Sequence, residues 1–184
     1  MVHRSTARPG DCILVTATIG EAAIGLQLRR DRTLARRWGL SDAAAAQLEG
    51  RYLLPQPRNA LADAILQYAS AAIDVSDGLA GDLAKLCRAS SVAADIDVAA
   101  VPLSDAARAA IAAEPALLET ALTGGDDYEI ILTLAPENLA AFRAAAAAAG
   151  IAAAEIGHMK AGEGARFLHE GKALTFTRAS YSHF

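Results

Sequence analysis

A chain of 184 residues, 53% of them hydrophobic, can bury one substantial core, and a single domain is expected. Its formal net charge of −4 argues against a general nucleic-acid binder, which needs a basic face to displace counterions from phosphates. Two cysteines, Cys12 and Cys87, make no disulfide framework and lack metal-ligand spacing, which fits a reducing cytoplasm, and Asp or Glu interrupts every long apolar stretch before it could span a membrane.

Residues 11–18, DCILVTAT, are rich in β-branched side chains and bounded by Pro9-Gly10 and Gly20, which predicts a buried strand. Residues 21–30 follow as a helix, with Ala22, Ile24 and Leu26 available for packing. Residues 31–58 read as a charged peripheral arm that packs on the body through Trp38 and Leu40, with a helix start at Ser41-Asp42 and Arg36-Arg37 on a solvated face. Pro55-Gln56-Pro57-Arg58 must be extended, because each proline restricts the residue before it, and Asn59 is the expected cap of a helix over 60–69.

The rest is organised around residues 71–83, AAIDVSDGLAGDL. Ile73 and Val75 alternate with Asp74 and Ser76 at strand period, whereas Leu79, Leu83 and Leu86 recur at helical spacing, so a strand ends and a helix opens across Ser76-Asp77-Gly78. One reading makes Asp77 or Ser76 a helix cap, drawn to exposed amides and the positive end of the helix dipole. That leaves Asp74 unexplained. Two carboxylates so close repel, and a hard divalent cation with oxygen ligands is the usual relief. Both readings stand at this point.

Further on, residues 92–98 predict a strand, Ser104 caps a short helix reaching 113, and 115–122 form another. Residues 123–129, TGGDDYE, make a second acidic turn: two glycines let the backbone approach a ligand closely while two aspartates present carboxylates, unless the turn is simply a solvated Asx-type turn. Residues 128–134 are the most apolar strand candidate, and 136–149 a helix stopped by Gly150. Three late strands are expected at 151–159, 165–169 and 173–177. Arg4 and Arg8 offer guanidinium forks to a phosphate, and Tyr181 and Phe184 offer rings to an aromatic ligand, or else the former fray and the latter cover a core edge. His158, His169 and His183 show no zinc spacing and receive no role.

HRSTARPGD, CILVTATIG, PQPR, AAIDVSDGLAGDL, ALTGGDDYEIILT, IGHM and YSHF occur in the order of the C-terminal half of thiamine-monophosphate kinase, which the chain resembles over nearly its whole length. That family shares a superfamily with aminoimidazole ribonucleotide synthetase, selenophosphate synthetase and a hydrogenase maturation protein. The resemblance implies an α+β fold, a mixed sheet with packed helices, and transfer of the γ-phosphoryl group of ATP to thiamine monophosphate with Mg²⁺ as cofactor. It implies Asp74 and Asp77 as magnesium ligands, Arg4 and Ser76 as ATP contacts, and Asp126 and Tyr181 as contacts to thiamine monophosphate. Asp126 stands where many relatives carry glutamate, and Thr6, Ala17, Ser91 and Ser180 replace family glycines, so any that needs a positive φ is expected to be strained. The resemblance also implies that the family's N-terminal ATP- and metal-binding half, a required partner, is absent from this sequence, and that the full-length member is a homodimer. Alone the chain is expected to be half a site. A related phosphate-transferring synthetase and a non-catalytic binding module are the alternatives.

Overall fold

The computed structural model describes residues 2–177. Strand β1 (Cys12–Thr16) is buried along its whole length, because it runs through the middle of the sheet with helices over both faces. It pairs antiparallel with β4 (Glu129–Leu134) on one side and with β5 (Ala153–Lys160) on the other. Outward from β4 lies the edge strand β2 (Ala71–Val75). Outward from β5 come β3 (Ala93–Asp97), β6 (Gly164–His169), which is parallel to β3, and the short β7 (Lys172–Ala173). The order β2-β4-β1-β5-β3-β6-β7 is a mixed seven-stranded sheet, and with its packed helices it is the α+β fold the resemblance implies.

Side-chain alternation on β1 divides the core. Ile13 and Val15 face α5 (Leu79–Ser90), whose Leu79, Leu83 and Leu86 are fully buried with Val75 and Ile131. Cys12 and Leu14 face the other side, where Leu132, Leu134 and Ile65 of α4 (Ala62–Tyr68) pack with Phe142 of α8 (Leu139–Ala148). Each such fully buried Leu or Phe stabilises the fold by about 1.5–3 kcal/mol.

A third cluster joins α1 (Glu21–Arg30), α2 (Thr33–Arg37), α3 (Asp42–Leu53), α6 (Asp105–Ala113) and α7 (Leu117–Thr123) through Ile24, Leu28, Leu48 and Trp38. The indole N–H of Trp38 donates to Glu114 at 2.9 Å. Helices α1 and α3 approach so closely that a Cβ on Gly25 would lie 2.0 Å from the Leu48 carbonyl oxygen, so only glycine permits this contact. Ser41 and Ser104 cap α3 and α6 as their sequences predict, accepting from the amides of Ala44 and Ala107.

Three local expectations change. Asn59 opens a 3₁₀ turn (Asn59–Leu61) and makes no side-chain cap, so α4 begins only at Ala62. Among the described residues the last strand is Lys172–Ala173 rather than 173–177, because Thr177 turns away to donate its amide to Glu119 at 2.6 Å. Pro136 starts a 3₁₀ turn ahead of α8. Ala17 and Ser91 do take positive φ, 45° and 55°, so two of the replaced glycines carry the expected strain, whereas Thr6 does not.

Candidate functional site

The turn after β2 is built by a residue one turn inside α5. Gly78, with φ 105°, occupies the N-cap position and contributes no side-chain cap, so neither Ser76 nor Asp77 caps the helix. The buried carboxylate of Asp82 instead accepts from the amides of Ser76 at 3.0 Å and Asp77 at 2.8 Å. These bonds fold the turn back over the helix start and leave the Asp77 carboxylate outside it. Lys85 bridges Asp77 and Asp82, lying 2.7 Å from the latter. Burial alone would lower Lys85, but hydrogen bonds to the two carboxylates outweigh it and hold the ammonium above its ordinary value.

The second acidic turn lies directly against the first. The Asp126 amide donates to the Ser76 carbonyl at 3.0 Å, and the Tyr128 amide to that of Val75 at 2.8 Å. A Cβ on Gly125 would fall 2.4 Å from the Ser76 oxygen, and one on Gly78 would fall 2.5 Å from the Thr123 oxygen. Both glycines are therefore required by the contact between the turns. Asp126 and Tyr128 have φ of 72° and 52°, a strained backbone held in place by those hydrogen bonds. Tyr128 stays 40% exposed at the rim.

The two neighbouring aspartates have opposite fates. Asp126 is half-buried on the site side, whereas Asp127 turns inward to 1% exposure. The Asp127 carboxylate accepts from the amides of Gly20 at 2.7 Å and Ala22 at 3.2 Å, so it caps α1 from a distant part of the chain. Burial pushes its carboxyl up to about 7, against the opposing pull of those two amides. Beneath the turn, the fully buried Glu129 accepts from Thr16 Oγ1 at 2.6 Å, Arg51 Nη2 at 2.6 Å, Arg58 Nε at 2.7 Å and Arg58 Nη2. Residues 31–58 thus send two guanidinium groups under the acidic turns.

Of the site residues singled out in the sequence, Ser76, Asp77 and Asp126 lie on the two joined turns. Asp74 is exposed on edge strand β2, opposite Ile130. Arg4 is exposed, and its carbonyl accepts from the Ser90 hydroxyl at 3.0 Å. Ser90 ends the 12-residue α5, which is roughly 18 Å long, so the Arg4 backbone and Ser76 stand at opposite ends of that helix. Tyr181 lies outside the described residues. Asp74, Asp77 and Ser76 offer only oxygen donors, a set that fits part of the shell of a hard cation such as Mg²⁺, which takes one or two protein carboxylates and fills the rest with water or phosphate.

Sequence reasoning passed over Asp82, Lys85, Asp127 and Glu129 as working parts. A signal existed for two of them. Asp82 falls on the apolar stripe of α5, three residues from Leu79, and Glu129 opens the most apolar strand, so each had to be buried and satisfied. Nothing in the local pattern tells which of Asp126 and Asp127 turns inward.

The family described as AIR synthase related protein, C-terminal domain, matches residues 8–170. Thiamine-monophosphate kinase from Caulobacter vibrioides is 39% identical over 186 residues, covering 99% of this chain and 50% of that protein. The solved thiamine-monophosphate kinase from Stenotrophomonas maltophilia K279a superposes with a TM-score of 0.83 at 34% identity, over 94% of this chain and 54% of that one. AaThiL complexed with AMPPCP and TMP superposes with a TM-score of 0.80 at 29% identity, over 100% and 54%. The chain spans about half the length of the relatives it matches. A match that takes in both acidic turns shows that this chain belongs to the AIR synthase related C-terminal domain family, corresponding to the C-terminal half of its thiamine-monophosphate kinase relatives.

Proposed function

We propose that this chain is the C-terminal part of a thiamine-monophosphate kinase, which moves the γ-phosphoryl group of ATP onto thiamine monophosphate to give thiamine diphosphate. The observation that carries the proposal is the fusion of the DVSDGL and GGDDYE turns into one unit through the Asp126–Ser76 and Tyr128–Val75 backbone bonds. The solved relative complexed with AMPPCP and TMP supports the choice of ligands, since AMPPCP is an ATP analogue.

In the transfer, an oxygen of the acceptor phosphate bonds to the γ-phosphorus while the bond to the bridging oxygen breaks and ADP leaves. No protein nucleophile is required, and the problem is positioning and charge. Asp74 and Asp77 would hold Mg²⁺, which when bound neutralises the phosphate charge that opposes the approach. Ser76 and Arg4 would contact ATP, and Asp126 and Tyr181 the thiamine substrate. The Asp82 carboxylate keeps the Ser76-Asp77 backbone rigid. The relatives are about twice the length of this chain, and their N-terminal half is the partner we propose to complete the site around the metal and the nucleotide.

The test is reconstitution. The 184-residue chain with ATP, Mg²⁺ and thiamine monophosphate is expected to give no thiamine diphosphate above a no-protein control, and addition of a family N-terminal half to restore product. In the restored system Asp77→Asn should lower kcat at least tenfold with little change in Tm. Product from the chain alone would refute the half-site, and full activity in Asp77→Asn would refute the metal role.

A further inference from the structure

At the end of β1 away from the acidic turns, an irregularity in the β1–β5 pairing gathers three side chains of different chemistry. Cys12 pairs with His158 and Ile13 with Gly157, but Leu14 pairs with Glu155, so Ile156 is an extra residue on β5. In an unbroken strand, residues three apart point to opposite faces. The bulge cancels that alternation and brings Glu155 and His158 to the Cys12 side of the sheet, beside α8. The Sγ of Cys12, a carboxylate oxygen of Glu155 and a ring nitrogen of His158 all lie within 4.8 Å of one another.

The group is open on one side only. Cys12 is 3% exposed, whereas the His158 side chain is 59% exposed. Arg143 on α8 donates to Glu155 Oε2 at 3.0 Å, and the other oxygen, Oε1, faces His158 Nε2 at 3.8 Å. One carboxylate oxygen is thus oriented by an outer partner while the second is directed into the group, the arrangement that supports a metal-ligating carboxylate.

We propose that Cys12, Glu155 and His158 form a binding site for a thiophilic divalent transition metal of the Zn²⁺ class, with water as fourth ligand. A thiolate with an imidazole favours such an ion over Mg²⁺, which takes hard oxygen donors. Tetrahedral Zn²⁺ bonds of 2.0–2.3 Å require donors about 3.5 Å apart, so a shift of roughly 1 Å closes the site. The exposed imidazole can supply it by rotation. On binding, the S–H bond breaks, its proton passes to solvent and the sulfur electron pair bonds to the metal. Bound metal clamps β1 to β5 at the bulge. Thr16, at the other end of β1, is roughly 13 Å from Cys12 at the rise of a strand, so the site is separate from the acidic turns and does not depend on the kinase reading.

The experiment titrates the reduced, metal-free 184-residue chain with Co²⁺ as a spectroscopic probe. The expected result is a thiolate-to-cobalt charge-transfer band with tetrahedral d–d absorption, saturating at one equivalent and abolished by Zn²⁺ but not by Mg²⁺. Cys12→Ser should remove the charge-transfer band, and His158→Ala, at an exposed position that cannot disturb the core, should weaken Co²⁺ binding at least tenfold. Cys87→Ser should change nothing, because Cys87 is buried within α5 outside the group. Absence of the band, its persistence in Cys12→Ser, or unchanged affinity in His158→Ala would overturn the proposal.

Discussion

Replacing Glu129 by Gln tests how the acidic turns are supported. Glu129 is fully buried, and it answers two guanidinium groups whose side chains are only 10% and 14% exposed, Arg51 and Arg58. Gln keeps the shape but removes the charge and points an N–H₂ group at one of the donors. Arg51 would keep its ion pair with Glu21, 3.4 Å from Nε, although its buried Nη1 already lacks a hydrogen-bond partner, so the stranded charge is chiefly that of Arg58, whose Nε and Nη2 both bond to Glu129. Breaking a buried pair from one side costs about 3–5 kcal/mol, most of it the penalty of an uncompensated charge. With a urea m-value of about 2 kcal/mol/M, the midpoint should fall by about 1.5–2.5 M, read by circular dichroism. If the penalty is the stranded charge, Glu129→Leu with Arg58→Met should be more stable than Glu129→Leu alone. A midpoint shift below about 0.5 M for Glu129→Gln would refute this account of the support.

If Asp77 holds Mg²⁺ as proposed, Lys85→Met should tighten Mg²⁺ binding by about fivefold in titration calorimetry, because the Lys85 ammonium would compete for Asp77 in a one-third-exposed pair worth about 1 kcal/mol after solvent screening; unchanged or weaker binding would remove that role. Asp127 titrates at about 7 when folded against an ordinary 3.8, so its contribution to stability is complete below about pH 4 and is lost as pH rises through 7. Asp127→Asn should therefore flatten the fall in stability between pH 4.5 and 7.5 by on the order of 3 kcal/mol, and parallel urea profiles for the two proteins would contradict the assignment. Ser91 ends α5 in the left-handed region, φ 55° and ψ 46°, so Ser91→Gly should relieve about 1 kcal/mol of Cβ strain and raise Tm by about 2–4 °C; a lower Tm would show that the serine side chain matters more than its backbone.

The strands and helices were legible wherever one residue period dominated. Helix α1 spans the predicted 21–30, and β2 breaks into α5 where the alternation of Ile73 and Val75 gives way to the spacing of Leu79, Leu83 and Leu86. Local pattern failed where a distant group decides the outcome. Asn59 has the chemistry of a cap yet caps nothing, while Asp127, 107 residues from Gly20, caps α1. The Cys12 group was invisible for a related reason: no sequence spacing connects residue 12 to residues 155 and 158, and the bulge that turns the latter two to one face exists only once β5 has paired with β1.

The same dependence on distant contacts explains why the two acidic turns behave as a unit. A Cβ at Gly78 would strike the Thr123 carbonyl and one at Gly125 the Ser76 carbonyl, so each turn carries the glycine that lets the other approach. Asp82 holds the first turn from inside α5, and Glu129 holds the second from beneath, through arginines of α3 and the 55–58 segment. Each carboxylate directed inward is matched by amides or cations, whereas Asp74 is exposed and Asp126 and Asp77 are half-buried toward the outside. Around the two turns, among the described residues, Arg51 and Arg58 pair with buried carboxylates, and of the three outer aspartates Asp77 has a cation, Lys85. That imbalance is what a site built to receive positive charge from elsewhere should show, and it is the physical ground for the proposal that the chain by itself would bring acidic groups but little to neutralise two phosphates.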